Sequence, residues 1–112
     1  MESTDLATLA HDHIEMATSA PSGRSAVALH PGRHHRLRQT LIALAADHRL
    51  DEHDAPAEAT LFVLSGRVRL AAGDDAWEGG PGELLVIPDR RHDLLAIDDA
   101  AVLLTTVVDG SR

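Results

Sequence analysis

Along the first part of the chain, Leu6, Leu9, His13 and Met16 recur at helical spacing between Thr4 and Thr18, while Asp5, Asp12 and Glu15 fall mostly elsewhere around the turn. This predicts a short amphipathic helix. Ser3 or Thr4 suits its N-cap, Asp5 suits its positive end, and Ala20-Pro21-Ser22-Gly23 supplies residues that stop it. Such a helix cannot bury its apolar stripe alone, so it is expected to dock on the rest of the chain or on a second subunit. Beyond Gly23 the pattern changes to short runs of β-formers separated by turn signals about ten residues apart, as in a sandwich or barrel. Strands are expected near Ser25–His30, His35–Ala45, Leu50–Asp54, Ala59–Leu64, Arg67–Ala71, Ala76–Glu78, Glu83–Ile87, His92–Ile97 and Ala101–Val108. Arg67-Val68-Arg69-Leu70 alternates and so has one wet face. Leu84-Leu85-Val86-Ile87 and Val102-Leu103-Leu104 do not alternate, which suggests strands covered on both faces. No stretch between the strands is long enough for a crossover helix, so the pairing must be antiparallel.

A chain of 112 residues supports one hydrophobic core. The expected division is an N-terminal helical arm and linker over 1–23 followed by a barrel over 24–112. Aromatic residues are only 2% of the chain, Phe62 and Trp77, so the core must be built from Val, Leu, Ile and Ala, and stacking platforms for bases or sugars are scarcely available. A formal charge of −8 repels phosphate backbones and anionic membranes. Neither nucleic acid nor a membrane is therefore an expected partner. The run Arg33-His34-His35-Arg36-Leu37-Arg38 is the local exception and reads as a solvated strand edge. Without cysteine there are no disulfides, thiolate metal sites or thiol nucleophiles. No signal-peptide pattern opens the sequence, and a cytoplasmic location is expected.

Two segments carry a family resemblance. Leu50 to Gly66 contains a histidine, His53, and the turn Val63-Leu64-Ser65-Gly66; Gly82 to His92 contains a glycine, five residues, Pro88 and a nearby histidine. In this order and at this separation they resemble the two motifs of small bacterial single-domain cupins, over roughly Arg36 to Val108. The resemblance implies an all-β fold, a double-stranded β-helix or jelly-roll barrel, with the short helix in front. Gly66 and Gly82 are expected to take positive φ at chain reversals, and Pro88 to end a strand.

In the family, two histidines in a His-x-His pair, a glutamate on the next strand and a final histidine hold a divalent metal inside the barrel. Imidazole nitrogen and carboxylate oxygen together suit Zn, Fe, Mn or Ni. The carry-over is incomplete here. His53 matches the first histidine, but the second position is Ala55. The glutamate position is Ala59, with Glu58 beside it, and neighbours on a strand face opposite ways unless a bulge intervenes. His92 matches the final histidine, one residue closer to Pro88 than usual. The same parity directs His53 outward if Leu50 points inward on a regular strand. Gln39, Thr40 and His48 are further candidate polar groups for a pocket. His11, His13, His30, His34 and His35 read as solvated surface residues.

The expected function is binding of a small molecule in the barrel mouth, with His53 and His92 as polar anchors, Gln39 and His48 as additional ligand contacts, and a degenerate metal site formed by His53, His92 and Glu58. No cofactor is firmly implied. The alternative is a metal-dependent enzyme of oxygenase or isomerase type using His53, Glu58 and His92. The metal-free isomerase chemistry of a His/Tyr pair cannot be carried over, because the chain has no tyrosine. A homodimer is expected from the amphipathic arm and the edge strands of a small open barrel.

Overall fold

A computed structural model describes residues 1–29, 36–53 and 58–107, with Glu52 and His53 described by backbone alone. A helix, α1 (Leu6–Ser19), precedes nine strands: β1 (Arg24–Ala28), β2 (Leu37–Leu44), β3 (Arg49–His53), β4 (Ala59–Ser65), β5 (Val68–Ala72), β6 (Asp75–Gly79), β7 (Leu84–Val86), β8 (His92–Ala96) and β9 (Ala100–Val107). Every pairing is antiparallel, in a five-stranded sheet ordered β1-β2-β9-β4-β7 and a four-stranded sheet ordered β3-β8-β5-β6. All nine strands expected from the sequence are present, with ends shifted by a residue or two.

The two sheets face each other across an aliphatic core. Leu44, Ala59, Leu61, Val63, Ala100 and Val102 come from one side, and Val68, Leu70, Leu94 and Ala96 from the other. Period-two alternation makes this assignment self-consistent: β8 buries His92, Leu94 and Ala96, and β4 buries Ala59, Leu61 and Val63. On β2, Ile42 and Leu44 face the core, whereas Leu41 packs with Ala10 and Ala101 on the outer side of the sheet.

That outer side carries α1. The helix docks on its own sheet through Leu6, Leu9, Ala10 and Ile14, against Leu41, Ala101, Val27 and Leu64. The buried stripe is thus rotated from the expected one: Ala10 and Ala17 are buried and Met16 is 54% exposed. Alanine at the contact lets the helix backbone approach the sheet, which a Met or Leu there would prevent. The N-cap is Asp5, whose Oδ1 accepts from Thr8 N–H at 3.1 Å, rather than Ser3 or Thr4. Intrachain docking of the arm removes the reason for which it was expected to seek a second subunit. His13 also departs from expectation, since it is half-buried and its Nδ1 lies 2.7 Å from the Ser25 hydroxyl of β1.

A second correction concerns β7. Its run Leu84-Leu85-Val86 is not covered on both faces: Leu84 and Val86 are 61% and 72% exposed, because β7 is the edge of its sheet and α1 does not reach it. Gly66 and Gly82 do adopt positive φ, 78° and 88°. Among the described residues, no helix is long and apolar enough to cross a membrane.

Candidate functional site

Strand direction fixes which residues gather at each end of the barrel. The connection Ala45–His48, tied by Ala45 N–H to Gly23 O and Asp47 N–H to Ala96 O, lies at the end where β2 finishes and β3 begins. At the opposite end lie the start of β2, the end of β3, the starts of β4 and β8, and the end of β9. His53 and His92 therefore belong to that end, the His92 end, together with Arg38, Ala59 and Thr106.

The β3–β8 ladder runs Arg49↔Leu95, Leu50↔Leu94 and then His53↔His92. Two residues of β3, Asp51 and Glu52, are set against one of β8, Asp93, which is a β-bulge. A regular strand would place position 53 on the face opposite to Leu50. The bulge adds the one residue that restores it to the face of Leu50, Leu94 and His92, since opposed positions of an antiparallel pair share a face.

His92 is 3% exposed, the one buried polar side chain among the described residues. Its Nδ1 lies 2.9 Å from the Arg90 carbonyl oxygen. A carbonyl can only accept, so Nδ1 carries a proton in this contact. The Arg90 carbonyl thereby fixes the orientation of the ring.

The inner face of the five-stranded sheet carries Thr40, a candidate from the sequence, and adds Arg38 and Thr106, which the sequence did not mark as site residues. Arg38 pairs with Thr106, and Thr106 with Ala59, in one row across β2, β9 and β4. Counting back by twos from Leu44 and Ile42 puts Thr40 and Arg38 on the inner face. The signal was present in the sequence as the alternation Arg38, Thr40, Ile42, Leu44, but the charged run around Arg36 disguised it as a wet edge. Gln39 has the other parity. It stands on the outer face, donating from Nε2 to Thr105 Oγ1 at 3.2 Å, in a groove with Leu6, Leu29 and Leu103. His48 is likewise away from the mouth, at the opposite end of the β3–β8 ladder, where its carbonyl accepts from Ala96 N–H and its ring covers Gly23. Gln39 is at the same end as His92 but on the outer face, and His48 is at the other end.

Glu58 is exposed, and Ala59 takes the inward place beside it with 7% exposure. No register shift occurs between them and Thr60, so nothing turns the Glu58 carboxylate into the barrel. Among the described residues no three His, Cys, Asp or Glu side chains gather as metal ligands, and no buried side-chain polar atom lacks a hydrogen-bond partner. Positions 55 and 59 are alanines, which offer no donor atom. The residues present do not fit the four-ligand metal set of the family. His30, Pro31, Gly32, Arg33, His34, His35 and Ala55 lie outside the described residues.

A groove lies between the sheet edges β6 and β7. It has a volume of about 240 Å³ and is lined by Leu70, Trp77, Leu85, Val86 and Pro88, with an Arg90–Asp75 ion pair of 2.8 Å at its rim.

No family model matches the chain, and no curated protein sequence matches it significantly. Solved structures do. A conserved protein of unknown function from Streptococcus pyogenes superposes with a TM-score of 0.71 at 20% identity, covering 82% of this chain and 80% of that one. A cupin superfamily protein from Desulfitobacterium hafniense gives 0.70 at 18% identity, covering 77% and 78%. An RmlC-like cupin from Desulfovibrio desulfuricans gives 0.67 at 22% identity, covering 79% and 85%. The architecture is thus that of the small, single-barrel cupins. This chain has the cupin fold, a double-stranded β-helix carrying one N-terminal helix on its outer face.

Proposed function

We propose that the chain binds a small organic anion at the His92 end of its barrel, with His53 and His92 as polar anchors and Arg38 supplying the positive charge. The observation that carries this reading is the bulge that sets His53 in register with the buried His92. Extra residues in a strand disrupt a ladder, and they persist where they aim a side chain. The buried His92 imidazole offers hydrogen bonding to a hydroxyl or amide of the ligand. The guanidinium of Arg38, on the inner face beside Thr106, suits a carboxylate. The aliphatic walls formed by Leu94, Leu61 and Leu70 exclude water around it.

The alternative, a metal-dependent enzyme using His53, Glu58 and His92, has the exposure of Glu58 against it. Titration of labelled protein with small mono-, di- and hydroxycarboxylates, followed by NMR, separates the readings. Saturable shifts at His92, reduced about tenfold in affinity by Arg38→Ala, support the proposal. Equal binding by the wild type, Arg38→Ala and His92→Ala would reject it.

A further inference from the structure

We infer that the groove between β6 and β7 is a binding site for an α-amino acid with an apolar side chain. β6 and β7 are edges of different sheets and do not pair with each other, so no backbone ladder closes this side of the barrel. Inner-face residues line the gap. Trp77 stands opposite the core residue Leu70, and Leu85 stands opposite the core residue Leu61. Trp77 lies against Gly79, where an added Cβ would run into its six-membered ring, so the missing side chain at 79 makes room for the indole. Ala72 and Ala76 are small and leave the space in front of it free. The groove has a volume of about 240 Å³. An apolar cavity of about 150 Å³ holds benzene, so this one takes a single ring or a branched aliphatic chain with a short polar head.

The rim decides the charge of that head. Arg90 Nη2 and Asp75 Oδ2 pair there at 2.8 Å, with side chains 50% and 76% exposed. An ion pair so exposed contributes little to stability, so a ligand can open it at little cost. A monocarboxylate would gain Arg90 but meet the charge of Asp75, and a monoamine would gain Asp75 but meet Arg90. An α-amino acid carries both charges on one carbon. Its carboxylate takes Arg90, its ammonium takes Asp75, and one ion pair is exchanged for two. Being neutral overall, it is not repelled by a chain of net charge −8. The inference does not rest on the anion proposed for the His92 end, since neither His92 nor Arg38 lines this groove.

Trp77 is the single tryptophan, so indole fluorescence of the full chain reports on the groove alone. Titration with phenylalanine is expected to give a saturable change with a Kd of about 1 mM, in keeping with so small a ligand. Hydrocinnamate, which lacks the ammonium, and phenethylamine, which lacks the carboxylate, should each bind about tenfold more weakly. Asp75→Asn should remove the preference over hydrocinnamate, and Arg90→Gln the preference over phenethylamine. Both positions are exposed, so thermal unfolding of these variants should match the wild type. Arg38→Ala should bind phenylalanine as the wild type does, which separates this groove from the His92 end. A flat titration up to about 20 mM phenylalanine overturns the inference. So does equal affinity for all three ligands, or an affinity for phenylalanine that Arg38→Ala lowers and the rim variants leave unchanged.

Discussion

His53 and His92 stand opposite each other across β3 and β8 because β3 carries one more residue than β8 between this pair and Leu50↔Leu94. Removing that residue would leave one residue on each strand between the two pairs, Glu52 against Asp93, so the ladder becomes regular without changing the pairing of His53 with His92. Deletion of Asp51 is therefore expected to keep ligand affinity within about threefold of the wild type, whereas insertion of one alanine between Glu52 and His53 should displace position 53 from His92 and lower affinity as much as His53→Ala does. Ligand titration of the three variants checks this. An insertion variant that binds like the wild type would show that position 53 plays no part in binding.

Gly66 should be the most demanding turn residue. Its φ is 78°, and a Cβ built on it would run into the carbonyl of Asp99 and the backbone of Ala100. Backbone cannot step aside as a side-chain tip can. Gly66→Ala is expected to cost about 3 kcal/mol, from left-handed strain and the displaced β8–β9 connection together. Denaturant unfolding measures it. A loss below about 1 kcal/mol would mean that the turn rearranges freely.

Gly23 offers a contrast of mechanism. Its φ is 70°, and a Cβ there meets the ring of His48, which is exposed and can rotate away. Gly23→Ala should cost roughly 1–2 kcal/mol, part of it relieved in a His48→Ala background. A double-mutant cycle separates the steric part from the conformational part. Strict additivity would place the whole cost in the backbone.

Much of this fold was legible because strands announce themselves by short β-forming runs and turns by glycine. The runs ending at Ser65-Gly66 and beginning at Gly82 are examples. What failed has a common physical cause. Faces of strands and helices depend on neighbours that lie far along the chain. The run at Leu84 looked doubly buried but forms an open edge, and Gln39 looked like a pocket donor but shares the parity of Leu41 rather than Ile42. The bulge before His53 left no mark in composition. The parity conflict itself was the clue, since a histidine at a motif position with the wrong parity calls for one extra residue.

The Asp5 cap links the helix to pH. Hydrogen bonds from the Thr8 backbone N–H and hydroxyl to the carboxylate hold the Asp5 pKa below the ordinary aspartate range. A depressed folded-state pKa stabilises the docked helix above the unfolded pKa. That contribution is lost as pH falls through the folded value. Amide exchange in the first turn of α1 should therefore accelerate in acid for the wild type, while Asp5→Asn, which caps without titrating, should show a flatter profile. Identical acid dependence in both proteins would assign the effect to another group.

The metal question turns on Ala59. It is an inward position at the His92 end with 7% exposure, beside an exposed Glu58, so the site lacks a carboxylate because of one side chain rather than because of register. A stable site needs about three well-placed protein donors to offset the dehydration of the ion. The wild type, with His53 and His92 at the family's positions, should retain transition metal only substoichiometrically after dialysis against a mild chelator. Ala59→Glu alone buries a carboxylate without a partner and should cost on the order of 1–3 kcal/mol in metal-free buffer. Adding Ala55→His should convert that liability into a metal-dependent gain, with unfolding temperature rising on addition of Zn²⁺ and at least tenfold tighter binding than the wild type. One tightly held metal per wild-type chain would instead require donors other than these positions. A double variant that gains nothing would show that positions 55 and 59 do not converge with His53 and His92.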